Sequence, residues 1–148
     1  MCGIAGVFSI KNNIQISSYD LIKKINHRGP DNLEIWKDEN INLSLGHARL
    51  SIQDLSSKAN QPMHSSTNRY VISFNGEIYN HYEIRKKINN EKSGFNFKTS
   101  SDTETILEAI EIFGIKKTLE EIIGMFAFAI YDKQKRELYL IRDRMGEK

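Results

Sequence analysis

One α+β domain, with short strands interleaved among a few helices, is what this sequence predicts, and three observations carry the prediction. Its 148 residues suit a single compact unit, long enough to bury a core. Apolar runs of strand length recur between turn-forming residues. The run Ser101-Asp102-Thr103-Glu104 has the pattern that opens a helix, a hydroxyl at the cap and a carboxylate three residues on.

In chain order, Ile4 to Phe8 reads as a buried strand that starts almost at the terminus, pinning Cys2 to a sheet edge instead of leaving it to fray. Leu21, Ile22 and Ile25 mark a short helix after Ser18. Leu43 to Leu50 and Tyr70 to Phe74 read as strands, rich in apolar and aromatic residues and bounded by turn formers. Ile84 with Ile88 marks another helix. The helix opened at Ser101 sets Ile106, Leu107, Ile110 and Phe113 on one face and stops at Gly114. Met125 to Tyr131 and Glu137 to Ile141 flank the polar Asp132-Lys133-Gln134-Lys135-Arg136 as a hairpin. The chain has no internal repeats, low-complexity tracts or obvious linkers.

Composition narrows the function. The 21 basic residues are offset to a formal charge of +2, and Lys23-Lys24, Lys86-Lys87 and Lys116-Lys117 are scattered, which reads as solvated surface and not as a nucleic-acid stripe. A single cysteine cannot form an internal disulfide, which suits a reducing cytoplasm. No run approaches the ~18 apolar residues of a membrane span, and the first residues lack a signal peptide's pattern. His27, His47, His64 and His81 are far apart, with no metal-ligand spacing. Ser51 has no nucleophile-elbow context, and no glycine-rich phosphate loop occurs.

Several residues carry chemistry that packing does not require. Cys2 follows only Met1, so removal of Met1 would leave a thiol and a free α-amine on one residue. Such an amine titrates near ~7.7–8.0 and a cysteine thiol near ~8.5, so each can exchange a proton with the other at neutral pH. Self-activation of a terminal nucleophile is an established route to covalent catalysis. Position alone reads first as a passenger cysteine beside the start, and only the segments that follow reverse that reading. Arg49 ends a strand among small and apolar neighbours; its fork matches a carboxylate, though a surface ion pair would also satisfy it. Asn75-Gly76 reads first as a tight turn, and alternatively as two donors converging on an oxyanion. Asp102 fits a helix-capping role, or with Glu77 a site for a substrate ammonium.

Seven ordered segments together resemble one family. Met1-Cys2-Gly3-Ile4-Ala5-Gly6, His27-Arg28-Gly29-Pro30-Asp31, Gly46-His47-Ala48-Arg49-Leu50-Ser51-Ile52, Asn60-Gln61-Pro62-Met63, Phe74-Asn75-Gly76-Glu77-Ile78-Tyr79-Asn80, Ser101-Asp102-Thr103-Glu104 and Gly124-Met125-Phe126-Ala127-Phe128-Ala129 are similar, in order and spacing, to the class II glutamine amidotransferase domain of glutamine-hydrolysing asparagine synthetases. The resemblance implies a four-layer αββα N-terminal nucleophile hydrolase sandwich of two antiparallel sheets. It implies Cys2 as nucleophile, Asn75 and Gly76 as the oxyanion hole and Arg49 on the glutamine α-carboxylate. Glu77 and Asp102 would lie on the α-amino side, with Leu50 and Ile52 lending backbone and packing.

The implied partners are L-glutamine and a synthetase domain or chain that accepts ammonia, with a homodimer left open. No cofactor is implied on this chain; ATP and magnesium belong to the synthetase domain. In the family the hairpin continues through a Phe-Gly-Ile-Lys-Pro-Leu-Tyr-like stretch into further strands and that domain. Here Met145-Gly146-Glu147-Lys148 follow instead. The expectation is therefore an amidotransferase domain over 2–148, incomplete at its C-terminal side and lacking the last strands. Two alternatives stay open on sequence: an inactive remnant or glutamine-binding module, and an amidotransferase serving another acceptor such as a surface-polysaccharide precursor.

Overall fold

The computed structural model describes residues 2–9 and 18–148; Met1, whose removal the sequence reading invokes, lies outside them. The described chain forms seven strands: β1 Gly3–Phe8, β2 Asn32–Asp38, β3 Leu43–Arg49, β4 Met63–His64, β5 Tyr70–Ile78, β6 Gly124–Asp132 and β7 Glu137–Arg142. It also forms four helices: α1 Ser18–Lys24, α2 His81–Glu91, α3 Asp102–Phe113 and α4 Ile115–Glu121. They build two antiparallel sheets, ordered β1-β3-β2 and β4-β5-β6-β7.

The period-two alternation of β3 and β5 sets the layers. On β3, Leu43 and Leu45 meet Val71 and Tyr131 of the other sheet. The opposite face of β3 receives α1, since a Cβ at Gly46 would lie 3.3 Å from Ile22. On β5, Ile72, Phe74 and Ile78 turn outward and join Ile84, Ile88, Ile106, Leu107 and Ile110 in the main core beneath α2 and α3. The layer order is therefore α1, first sheet, second sheet, α2 with α3. Two polar bonds also tie the sheets: Ser73 Oγ donates to Gly46 O at 2.9 Å, and His47 Nε2 meets Phe74 O at 3.1 Å.

Four local expectations change. The first strand is half-exposed, with Phe8 56% accessible, because β1 is a sheet edge. Asn75-Gly76 is not a turn: β5 runs straight through it to Ile78, paired residue for residue with β6. The strand β2 went unread because Glu34, Lys37 and Asp38 interrupt its apolar residues, as suits an outer strand. The capping box at Ser101 is half formed. Ser101 Oγ accepts Glu104 N–H at 3.3 Å, but the Glu104 carboxylate turns to the N–H groups of Lys98 and Thr99, at 2.8 and 2.7 Å, and so anchors the preceding loop.

Candidate active site

Strand register places the sulfur. Gly3 stands opposite Ala48, so Cys2 arrives beside the Arg49-Leu50 junction, where β3 ends. Leu50 N–H donates to Cys2 Sγ at 3.3 Å, and the thiol reaches Leu50 O at 3.6 Å. The Arg-Gly-Pro-Asp stretch braces this junction from outside. Asp31 N–H donates to Arg49 O at 3.0 Å and Asp31 Oδ2 accepts Ser51 N–H at 2.7 Å. Gly29 crosses β3 so closely that a Cβ would run into Ala48 and Arg49 backbone.

Arg49 is 6% exposed, and no ion pair engages it among the described residues. Its Nη1 donates to Ser56 O at 2.8 Å and Asn60 Oδ1 at 2.6 Å, and its Nη2 to Asp54 O. These neutral acceptors fix the guanidinium without cancelling its charge, and they leave Nε–H and one Nη2–H unclaimed among the described residues. The same bonds fold the segment from Leu50 to Asn60 over one side of a cavity. Asp54 then links that segment to Ser100, whose N–H and Oγ it accepts at 2.8 and 3.1 Å.

The far wall comes from β5 and α3. Asn75 and Glu77 lie on the β5 face that turns toward the first sheet. The Asn75 amide makes no hydrogen bond among the described residues, and its Oδ1 is buried. Gly76 admits no side chain: a Cβ would lie 2.7 Å from Phe126 Cα and strike Met125 O. Asp102 is 6% exposed and accepts Ile78 N–H at 2.9 Å. Burial pushes its carboxyl up to about 6; the N–H donors of Ile78 and Thr103 oppose that shift and the charge of Glu77 adds to it. The helix N-terminus alone would favour the ionised form, so here desolvation wins.

Cys2, Arg49, Leu50, Ile52, Asn75, Gly76, Glu77 and Asp102 thus all line one cavity of about 120 Å³. Ile52 is 70% exposed and sits at the mouth. Gln53, Asp54, Gln61 and Thr103 also line it, and residue-level reading assigned them nothing. Gln61 is 5% exposed: its Oε1 accepts Phe74 N–H at 2.7 Å and its Nε2 donates to Thr103 Oγ1 at 3.2 Å. A polar residue beside Pro62 in a turn-like run gives no periodic signal of such burial.

A sandwich of two antiparallel sheets with a cysteine at the second position, an arginine that forms no ion pair among the described residues and a buried carboxyl around one cavity defines a class, and comparison with known proteins agrees. The glutamine amidotransferase domain family matches residues 1–148, and the chain belongs to it. It is 37% identical to the putative asparagine synthetase [glutamine-hydrolyzing] 2 of Methanocaldococcus jannaschii, a match covering 100% of this chain and 31% of that protein. It is 38% identical to asparagine synthetase B [glutamine-hydrolyzing] of Escherichia coli, covering 99% and 26%. The chain thus spans about a third or less of these relatives. The glutamine phosphoribosylpyrophosphate amidotransferase structure from Bacillus subtilis shares the fold, with TM-score 0.69 at 23% identity over 86% of this chain and 34% of that one. No helix among the described residues is long and apolar enough to cross a membrane.

Proposed function

We propose that residues 2–148 act as the glutamine-hydrolysing domain of an asparagine-synthetase-like amidotransferase. The observation that carries this reading is the convergence, on one cavity, of a sulfur with a backbone N–H donor, an amide and a charged guanidinium that have, among the described residues, no hydrogen-bond partner and no carboxylate respectively, and a buried carboxyl. These are the groups that a free amino acid bearing a side-chain amide would use.

Arg49 takes the α-carboxylate of glutamine through its unclaimed N–H groups, and Asp102 with Glu77 faces the α-ammonium. The side-chain amide then reaches Cys2. With Met1 removed, the α-amine accepts the thiol proton directly or through water, and sulfur attacks the amide carbon. The carbonyl oxygen becomes an oxyanion held by Asn75 and the Gly76 N–H. The protonated amine returns its proton to the leaving nitrogen, ammonia departs, and a glutamyl thioester remains for water to cleave to glutamate. Each step uses groups of this chain and water; ATP and magnesium would serve the later amidation of aspartate in the synthetase domain or chain that receives the ammonia. No step in this scheme draws a residue from a second copy, so self-association is read separately by sedimentation. A lone cysteine suits a cytoplasmic location.

The test is intact mass of the chain before and after diazo-oxonorleucine, with ammonia release from glutamine followed in parallel. Loss of Met1, one adduct on Cys2 and steady ammonia release are expected. A chain starting at Cys2 that neither labels nor turns over would overturn the reading.

A further inference from the structure

On the β5 edge turned away from β6, the N–H groups of Tyr70, Phe74 and Ile78 are each met by a side chain and Ile72 is paired with β4, while Gly76 has neither among the described residues. Tyr70 points its main-chain groups toward β4, exchanging bonds with Ser65 through N–H to Oγ at 3.1 Å and O to N–H at 3.0 Å. Ile72 faces Met63 of β4. Phe74 and Ile78 point the same way, to Gln61, His47 and Asp102. By the two-residue period, the N–H of Gly76 points to this edge as well.

β4 ends before it could cover this part of β5. Continuing its register, in which Met63 stands opposite Ile72, puts Gln61 opposite Phe74. A backbone strand there would go on to cover Gly76. Instead Gln61 offers only a side-chain carbonyl to Phe74 N–H, at 2.7 Å, and His47 reaches across from the first sheet to Phe74 O, at 3.1 Å. Facing a carbonyl, His47 Nε2 must carry the hydrogen, which leaves Nδ1 a buried acceptor without a partner among the described residues. An apolar side chain of similar size would fill this site with no orphaned nitrogen. What the histidine adds is the bond to Phe74.

We infer that His47 and Gln61 are positioning residues for the oxyanion hole, a two-residue substitute for a strand. They hold both polar groups of Phe74 while leaving Gly76 N–H open. The peptide from Phe74 to Asn75 is planar, so fixing the Phe74 carbonyl fixes the N–H and Cα of Asn75, and pairing with β6 carries that orientation on to Gly76. The inference rests on the proposed role of Asn75 and Gly76 as oxyanion donors.

The experiment compares the full chain, starting at Cys2, with His47→Phe, Gln61→Met and His47→Gln, whose amide can still donate to Phe74. Glutamine hydrolysis and iodoacetamide labelling of Cys2 are measured for each. His47→Phe and Gln61→Met should lower kcat by ~10–100-fold with KM within ~3-fold, and His47→Gln should recover most of the loss. Labelling should stay within ~2-fold of the parent, because the sulfur and its Leu50 donor are untouched. Unchanged kcat, or kcat, KM and labelling falling together without rescue, would overturn the positioning role alone. A parent chain that releases no ammonia would remove the parent reading and this role with it. If the variants do not fold, nitrogen NMR of the unsubstituted chain decides: an Nε2–H tautomer of His47 protected from exchange supports the role, and an Nδ1–H tautomer overturns it.

Discussion

The two ends of the layer between the sheets are made by the same two strands and have opposite characters. At one end Leu43 and Leu45 of β3 meet Val71 and Tyr131, with the Trp36 ring 5.8 Å from that of Tyr131. At the other end the same faces carry His47 and Arg49 on β3 and Ser73, Asn75 and Glu77 on β5. The first end holds the sheets together by burying apolar surface. The second holds them by directed bonds beside a cavity. One sandwich thus divides cohesion and chemistry along its strands, with the change falling between Leu45 and His47.

The division is open to attack from both sides. Gly76→Ala should have the largest effect: the added methyl cannot fit between β5 and β6, so ammonia release should fall by at least ~10²–10³, with a stability loss of about 1–3 kcal/mol in urea unfolding. Leu45→Ala, at the apolar end, should cost about 2–4 kcal/mol of stability while leaving kcat and KM of the folded fraction unchanged. A changed KM there would mean the two ends are coupled. Arg49→Ala should raise the glutamine KM by roughly 10²-fold while iodoacetamide still labels Cys2, because its charge is lost from the site but the Leu50 donor remains. An unchanged KM would remove Arg49 from the carboxylate.

The smallest effect is a pair of opposed pH dependences. Asp102, normally near 3.8, is pushed up to about 6 by burial, so the fold binds its proton more tightly than the unfolded chain does. Its contribution to stability therefore falls as pH rises from about 4 to 6. His47, normally near 6.5, is held down to about 4, chiefly by burial, so its contribution falls as pH drops from 6.5 to 4. Asp102→Asn should steepen the loss of stability in acid relative to the parent, and His47→Gln should lessen it, each by about 2–3 kcal/mol across the window in urea midpoints. Equal slopes in all three chains would refute the opposition.

Much of this was legible in the residues, and what was hidden has physical reasons. The strands β3, β5, β6 and β7 announce themselves because both faces are covered or their apolar runs are unbroken. The outer strand β2 does not, since its solvent face carries the charges that mask the alternation. Asn75-Gly76 has the local chemistry of a turn, and pairing with Ala127 and Phe126 of β6, distant in sequence, keeps it extended. At the cavity, Cys2 and Arg49 stand out because their chemistry is unusual for their positions. Gln61 does not, because its contribution is a bond to the backbone of Phe74, thirteen residues away, and no local pattern encodes that.

The short lead into β1 has a bearing on how the protein is handled. The strand starts at Gly3, so the cysteine is the residue immediately ahead of the sheet edge. Any affinity handle or fusion partner placed ahead of Cys2 would be delivered to the mouth of the cavity and would convert the terminal amine into an amide. Purification handles therefore belong after Lys148, or ahead of a protease site whose cut leaves cysteine as the first residue.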